Sequence, residues 1–432
     1  VSIATDMLVL GFVVSLLRQR RPVGSAIAWL LAVVLIPYLG VPLYLVFGGR
    51  KLSRRASGKE RLGSRDRPST LTARPRSSLA SVHWLDDGVA AYEQFLAQIL
   101  NAKRSIRIVT FLVGDDETGR SLVDALTRRA REGLEVRLLI DDLLRIHAPR
   151  AALRELVAAG ARVERFMPLV HVPFRGHGNL RNHRKIAIFD GERAIVGGMN
   201  LGSEYMGPRP DAQRWRDLSL LVEGEAVYAL DAIVRADWQF ACAETLTAAA
   251  KSAPGTIPVQ VIPSGPDSDS DPIYDADLTA IFRAEKRIWI ATPYFVPDEA
   301  LLRALEIAVR RGVDVRVITP ERSNHLLSDC ASGSSLRDLS AAGVSIHRFA
   351  KMLHAKTLLV DDSLAVVGSA NFDMRSLFLN YEIALFFSAK AEVERLSRWF
   401  EDSFVDTTRG PPHAGILRAA VDDVARLIAP QL

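Results

Sequence analysis

The sequence predicts an α/β fold of two pseudo-two-fold related halves, each an α/β/α sandwich, preceded by an N-terminal transmembrane helical hairpin. Three observations carry this. Strand-like and helix-like segments alternate twice in the same order, a string of polar residues recurs with identical spacing, and residues 26–47 form an uncharged, largely apolar run.

That run is long enough as one helix to cross a hydrocarbon core, which takes ~20 residues, with a buried core helix or hairpin as the less favoured reading. Its Pro37, Gly40 and Pro42 are tolerated in membrane helices, and Trp29, Tyr38 and Tyr44 suit an interface. Residues 7–17 are also apolar, and because the chain starts at Val1 rather than Met, part of a first spanning helix is expected to be missing. No small-residue cleavage site follows, so a hairpin is expected rather than a signal peptide. Arg18, Arg20 and Arg21 lie in the connection, whereas Arg50, Lys51, Arg54, Arg55, Lys59, Arg61, Arg65 and Arg67 follow the second segment. The stronger basic cluster predicts that the catalytic part faces the cytoplasm. It also suits anionic headgroups, at ~1 kcal/mol per basic residue near a charged leaflet. The expected division is 1–49 membrane hairpin, 50–78 basic linker, 79–250 first half and 251–432 second half.

Beyond the linker the chain repeats whole units. A strand candidate from Arg107, a helix over 119–132 and a strand from Glu135 match a strand from Arg287, a helix over 299–311 and a strand from Asp314. Alternating strands and helices predict a largely parallel sheet covered by helices on both faces. The Pro-, Ser-, Gly- and Asp-rich stretch 248–272 reads as the crossover between halves plus the first strand of the second half. At the C-terminus Ile416, Leu417, Ala420, Val421, Val424, Leu427 and Ile428 recur at helical spacing, which predicts a helix packed on the core, with a membrane-surface role as the less favoured reading.

The recurring string is His183, Lys185, Asp190, Gly197, Gly198 and Asn200, then His354, Lys356, Asp361, Gly368, Ser369 and Asn371. Strand alternation puts each histidine and its lysine on one face. Brought together across a two-fold axis, two histidines and two lysines suit a phosphodiester. The lysines neutralise its oxygens, aided by Asn200 and Asn371, the glycines let backbone approach the phosphate, and Ser369 can add a hydroxyl. One imidazole attacks phosphorus and the other moves protons, so no metal or cofactor is called for. Asp217 and Glu382, at matching places after each motif, are candidates to hold the histidines' far ring nitrogens. Asp190 and Asp361 belong to the recurring catalytic string but end their motif strands, where a structural turn or salt-bridge role is favoured over direct substrate contact. Arg184 can reach a second anionic headgroup or lie at the surface. His171 and His177 match no trusted metal spacing and read as a loop at the mouth of the site; His83, His147, His325, His347 and His413 join no constellation. Cys242 and Cys330 suggest neither a zinc site nor a disulfide.

This duplicated pattern resembles the phospholipase D superfamily from about Leu79 onward. The segments N-L-R-N-H-R-K around His183, T-P-Y-F-V-P-D from Thr292 and S-A-N-F-D-M-R-S-L-F-L-N-Y-E from Ser369 are most similar to bacterial cardiolipin synthases. The resemblance implies phospholipase D-like halves, His183 as nucleophile and His354 as general acid/base, with the reverse assignment open. It implies transfer of a phosphatidyl group between two phosphatidylglycerols at a bacterial inner membrane, as a multi-pass protein. The alternatives are a phospholipase D using water and, less favoured, a nuclease. The net charge of +5 fits either an acidic lipid or nucleic acid, but a nuclease has no need of the apolar segment, so no nucleic-acid partner is expected. Pairing both halves in one chain removes the need for a dimer in catalysis and does not forbid an oligomer.

Overall fold

Proline decides the first elements. In the computed structural model, which describes residues 10, 11, 13, 14, 23–47, 77–144, 147–168, 179–268 and 270–428, the apolar run is two helices, α1 (Val23–Leu35) and α2 (Pro37–Phe47). Pro37 disfavours helical geometry in the residue before it, while its fixed φ suits the first position of a new helix. The chain folds back there, because the rings of Trp29 and Tyr44 meet edge to face at 5.3 Å, whereas a straight helix would hold them about 22 Å apart. The expected spanning helix is thereby corrected: among the described residues no helix is long and apolar enough to cross a membrane. Most of residues 7–17, the basic residues on either side of the hairpin, and His171 and His177 lie outside the described residues.

The first half comprises β1 (Ser77–Leu79), β2 (Ser81–Leu85), α3 (Gly88–Asn101), β3 (Ser105–Thr110), α4 (Glu117–Arg131), β4 (Glu135–Asp141), α5 (Arg150–Ala158), β5 (Arg162–Phe166), β6 (Ile186–Phe189), β7 (Arg193–Gly197), β8 (Ser219–Glu223) and α6 (Ala226–Cys242). The second half begins with β9 (Ile257–Ser264), α7 (Pro272–Arg283), β10 (Arg287–Ala291), α8 (Glu299–Arg310), β11 (Asp314–Pro320), α9 (Leu326–Ala341) and β12 (Ser345–Phe349). It continues with β13 (Thr357–Val360), β14 (Leu364–Gly368), α10 (Met374–Phe378), β15 (Glu382–Phe387), α11 (Lys390–Val405), β16 (Thr407–Arg409) and α12 (Ile416–Ile428). Matching aspartates start matching helices: Asp116 accepts the Gly119 amide and Asp298 the Leu301 amide, caps worth ~1 kcal/mol each.

The strands form a seven-stranded sheet, β2-β8-β7-β6-β3-β4-β5, and a nine-stranded one, β1-β9-β15-β14-β13-β10-β11-β12-β16. Only β3-β4-β5 and β10-β11-β12 run parallel, so the expectation of a largely parallel sheet is corrected to a mixed one. The motif strands return through tight turns, which join antiparallel neighbours without a crossover helix. β1 pairs with β9 of the second sheet and β2 with β8 of the first.

Alternation along β6 feeds two cores. Ile186 and Ile188 face a central cluster that includes Trp238, Trp289, Leu385, Trp399 and Phe400 and draws on both halves. Ala187 and Phe189 face an outer cluster with α3 and α4, and a third cluster lies under α7 and α8. The C-terminal helix departs from expectation. It attaches to α9 through its polar side, with Asp422 on Arg337 and Arg418 and Arg426 on Asp338, leaving Ile416, Leu417, Val421 and Val424 exposed. Truncating Phe400, which is fully buried in the shared core, is expected to cost about 3–5 kcal/mol. Urea unfolding of Phe400→Ala should show one transition at lower denaturant; a separate, unshifted transition for the first half would contradict a shared core.

Candidate active site

Two short backbone ladders cross between the halves. His183 N–H donates to the Tyr381 carbonyl at 2.9 Å, and Tyr381 N–H donates to the Arg181 carbonyl at 2.8 Å. The equivalent ladder runs from His354 N–H to the Arg216 carbonyl, 2.7 Å, and from Arg216 N–H to the Met352 carbonyl, 2.9 Å. Glu382 follows Tyr381 and Asp217 follows Arg216, so each carboxylate is delivered to the histidine of the opposite half. Glu382 Oε1 lies 3.0 Å from His183 Nδ1 and Asp217 Oδ2 lies 2.7 Å from His354 Nδ1. A carboxylate at Nδ1 holds the proton there and leaves Nε2 for chemistry.

Both histidines line one cavity of about 1400 Å³, together with Asn200 and Asn371. Phe111 meets the His183 ring edge to face at 5.1 Å, and Tyr205 meets the His354 ring at the same distance, with Trp215 at 5.4 Å. The motif lysines are buried behind the rings. Lys185 Nζ donates to the His183 carbonyl at 2.6 Å, and Lys356 Nζ donates to the His354 carbonyl and lies 2.7 Å from His354 Nδ1. The strands themselves begin one residue after each lysine.

Burial sets the protonation of this group. Desolvation and the neighbouring ammoniums lower His183 to about 4 against the pull of Glu382. Desolvation and Lys356 lower His354 to about 3 despite Asp217. Desolvation likewise lowers Lys356 to about 8 and pushes Lys185 well below its ordinary value. Although burial opposes it, Asp217 and Glu382 are held below the usual carboxylate range by the histidines and lysines beside them. Near neutral pH both imidazoles are therefore uncharged between two carboxylates and two amines. Among the described residues, no group of three His, Cys, Asp or Glu side chains could hold a metal ion.

Several residues of the recurring string lie elsewhere. Asp190 and Asp361 close the far ends of the motif strands, about 16 Å along the chain from their lysines at strand rise. Asp190 accepts the amides of Lys103, Arg104 and Ser105 at 2.7–3.0 Å, and Asp361 those of Glu285, Lys286 and Arg287 at 2.7–3.0 Å. Both have positive φ, which a short polar side chain tolerates; they fasten turns and do not reach the reacting atoms. Ser369 is also reassigned, since its hydroxyl donates to Glu382 Oε2 at 2.5 Å and accepts the Ile383 amide at 3.0 Å. The glycines serve packing within the protein. A Cβ at Gly198 would lie 2.1 Å from Asp217 Oδ1, and one at Gly368 would lie 2.4 Å from the Ile383 carbonyl oxygen.

Arg184 is neither exposed nor free for a headgroup. It is buried, binds both oxygens of Asp237 at 2.7 and 2.8 Å, and donates to the Glu382 and Ser264 carbonyls. Sequence reasoning missed other cavity residues, including Glu204, Arg375, His147 and His325. Arg375 occupies the position after Asn371 that Glu204 occupies after Asn200, a charge reversal that aligning the two copies past their asparagines could have exposed.

Asp217→Asn is expected to lower kcat by about a hundred- to ten-thousand-fold through loss of the Nδ1–H tautomer, with the fold intact by circular dichroism. Asp361→Ala should instead cost about 0.5–1.5 kcal/mol of stability by removing the acceptor of the turn amides of Lys286 and Arg287, leaving kcat of the folded fraction within a few-fold of wild type. Exchange of these two phenotypes would overturn the division between site and turn.

Comparison with known proteins agrees with this geometry. Residues 95–238 and 278–404 match the family model described as cardiolipin synthase, PLD-like domain, and residues 7–49 match one described as phospholipase D-nuclease N-terminal. The chain is 34% identical to cardiolipin synthase 1 of Bacillus anthracis, covering 100% of this chain and 94% of that protein. It is also 34% identical to the major cardiolipin synthase of Bacillus subtilis, over 94% and 93% of the two. The crystal structure of phosphatidylserine synthase from Haemophilus influenzae superposes with a TM-score of 0.62 at 16% identity, over 83% of this chain and 98% of that one, which shows the shared fold. With the paired halves, the crossed histidines and full-length similarity in agreement, the chain belongs to the cardiolipin synthase family of phospholipase D-like proteins.

Proposed function

We propose that the protein is a phosphatidyltransferase that makes cardiolipin and glycerol from two molecules of phosphatidylglycerol. The observation that carries this is the pair of histidines on one cavity, each backed by a carboxylate at Nδ1 and set beside a buried lysine. Nε2 of His183 attacks the donor's phosphorus, the phosphorus–oxygen bond to glycerol breaks, and His354 gives its proton to the departing oxygen. In the second step His354 takes the proton of the acceptor's glycerol hydroxyl while that oxygen displaces His183. The reverse assignment exchanges the two roles, and mapping the trapped phosphohistidine decides between them.

Charge balance explains how a neutral imidazole becomes an acid. With both lysines protonated, two ammoniums and two carboxylates cancel, so an arriving phosphodiester adds one negative charge in a poorly solvated space. That charge favours a proton on one ring. The amides of Asn200 and Asn371 on the cavity wall, with the lysine charges buried behind the rings, then offset the charge that develops on the phosphorus oxygens.

The same first step with water as acceptor gives phosphatidic acid, so products separate the readings. Purified protein incubated with phosphatidylglycerol in mixed micelles with a chelator is expected to yield cardiolipin and free glycerol, both absent with His183→Ala. Phosphatidic acid alone would mean a hydrolase. The apolar N-terminal hairpin supports attachment to a bacterial inner membrane, and the basic residues after it support a cytoplasmic site.

The pH profile follows from the directions above. Below about 4 protonation of His183 removes the nucleophile, and above about 8 loss of the Lys356 proton weakens phosphate binding. A plot of kcat/KM against pH is expected to fall on both sides of this window; a profile flat to pH 10 would mean that Lys356 keeps its proton.

A further inference from the structure

The cavity does not end at the catalytic groups. Its lining runs from His183 and His354 to Trp29 and Ala32 of α1 and Leu43 of α2, and on the other side to Leu143, Leu326 and Leu327. At about 1400 Å³ it exceeds the ~300–1,000 Å³ of ordinary small-molecule sites, so a phosphodiester headgroup alone does not fill it. The hairpin's other side carries Leu31, Val34, Leu35, Tyr38 and Leu39, all exposed.

A second element reaches the same rim. It is the start of α9, the helix on which α12 packs through Asp422 on Arg337 and Arg426 on Asp338. Leu326 and Leu327 of α9 line the cavity and are 71% and 53% exposed, and Ile416 and Leu417 of α12 are 94% and 81% exposed. Two distant parts of the chain thus leave large aliphatic side chains in the open around one cavity mouth. Apolar exposure gathered in this way marks an interaction surface.

We infer that this rim seats the cavity mouth in a phospholipid leaflet, and that Trp29, Ala32 and Leu43 form the wall along which the acyl chains of the bound lipid lie. The inference rests on the lipid-transfer reading above and adds the route by which the lipid arrives. A glycerophospholipid carries its phosphorus between a polar head and two tails. Bringing that phosphorus to buried histidines while the tails stay out of water requires an apolar path from site to leaflet, and the hairpin provides one side of it. The occupant is committed by this continuity: no soluble substrate needs a path that joins the reacting groups to an uncharged hairpin.

The test compares phosphatidylglycerol with long acyl chains, in vesicles of that lipid, against dihexanoyl phosphatidylglycerol dispersed as monomers, using the full chain. Leu35→Glu and Leu39→Glu alter exposed residues of the hairpin that lie outside the cavity lining. Each is expected to lower the ratio of kcat/KM for the long-chain over the short-chain lipid by about tenfold, because a carboxylate at the rim resists entry into the leaflet. An unchanged ratio in both variants would overturn the docking surface. Photolysis of phosphatidylglycerol bearing a diazirine at its acyl terminus is expected to label the peptide spanning residues 23–47 in the wild type; label confined to peptides outside the cavity lining would overturn the wall. If the wild-type chain turns over neither lipid, the transferase reading falls and the route falls with it. Turnover of both lipids with an unchanged ratio removes the route alone.

Discussion

The exchange of carboxylates across the two-fold is the constraint on which the rest of the structure depends. Glu382 reaches His183 and Asp217 reaches His354 only because short backbone ladders join the segment ahead of each motif to the segment ahead of the other half's acid. Neither half holds a supported histidine alone. The shared central core, with α6 and α11 between the sheets, supplies the rigidity that keeps the two ladders in register. Apolar burial and catalytic geometry are thus two aspects of one interface.

Such an interface carries an electrostatic cost, since lysines, carboxylates and an arginine are all removed from water. The protein meets it by pairing. Arg184 is matched to Asp237 on α6 and also donates to the carbonyls of Glu382 and Ser264, so one guanidinium ties the first motif to the central helix and to two strands of the second sheet. Breaking such a pair by removing one partner generally destabilises a protein by about 3–5 kcal/mol. The second motif has Ala355 in that place, buried in the central core. The two half-sites therefore differ in what holds them even though their reacting groups match.

Much of this was legible in the sequence. Repetition exposed the two halves, the order of strands and helices, and the residues that meet at the cavity, because equal spacing in two copies survives without knowledge of contacts. What stayed hidden depends on pairing between distant segments. The tight turns at Asp190 and Asp361 make the motif strands antiparallel, which composition does not distinguish from parallel ones. The run over residues 26–47 has the length of a membrane span, yet Pro37 outweighs hydropathy and folds it back. The periodic face of α12 signals a helix correctly but says nothing about which side docks, and the ion pairs of Asp422 and Arg426 turn the polar side inward. Arg184, adjacent to a catalytic histidine, gives no sign of facing away from substrate until Asp237 is placed.

The seats of the two acids have a consequence for inheritance. Asp217 lies against Gly198, where no side chain fits, whereas the longer Glu382 takes a hydrogen bond from the hydroxyl of Ser369. Exchanging either acid for the other without its seat leaves a clash in one half or an unfilled place in the other. Each half must therefore change acid and seat together, while the histidine that feels the change belongs to its twin. Divergence of such a duplicated gene is bound diagonally: a lineage that alters one copy alters the chemistry of the other.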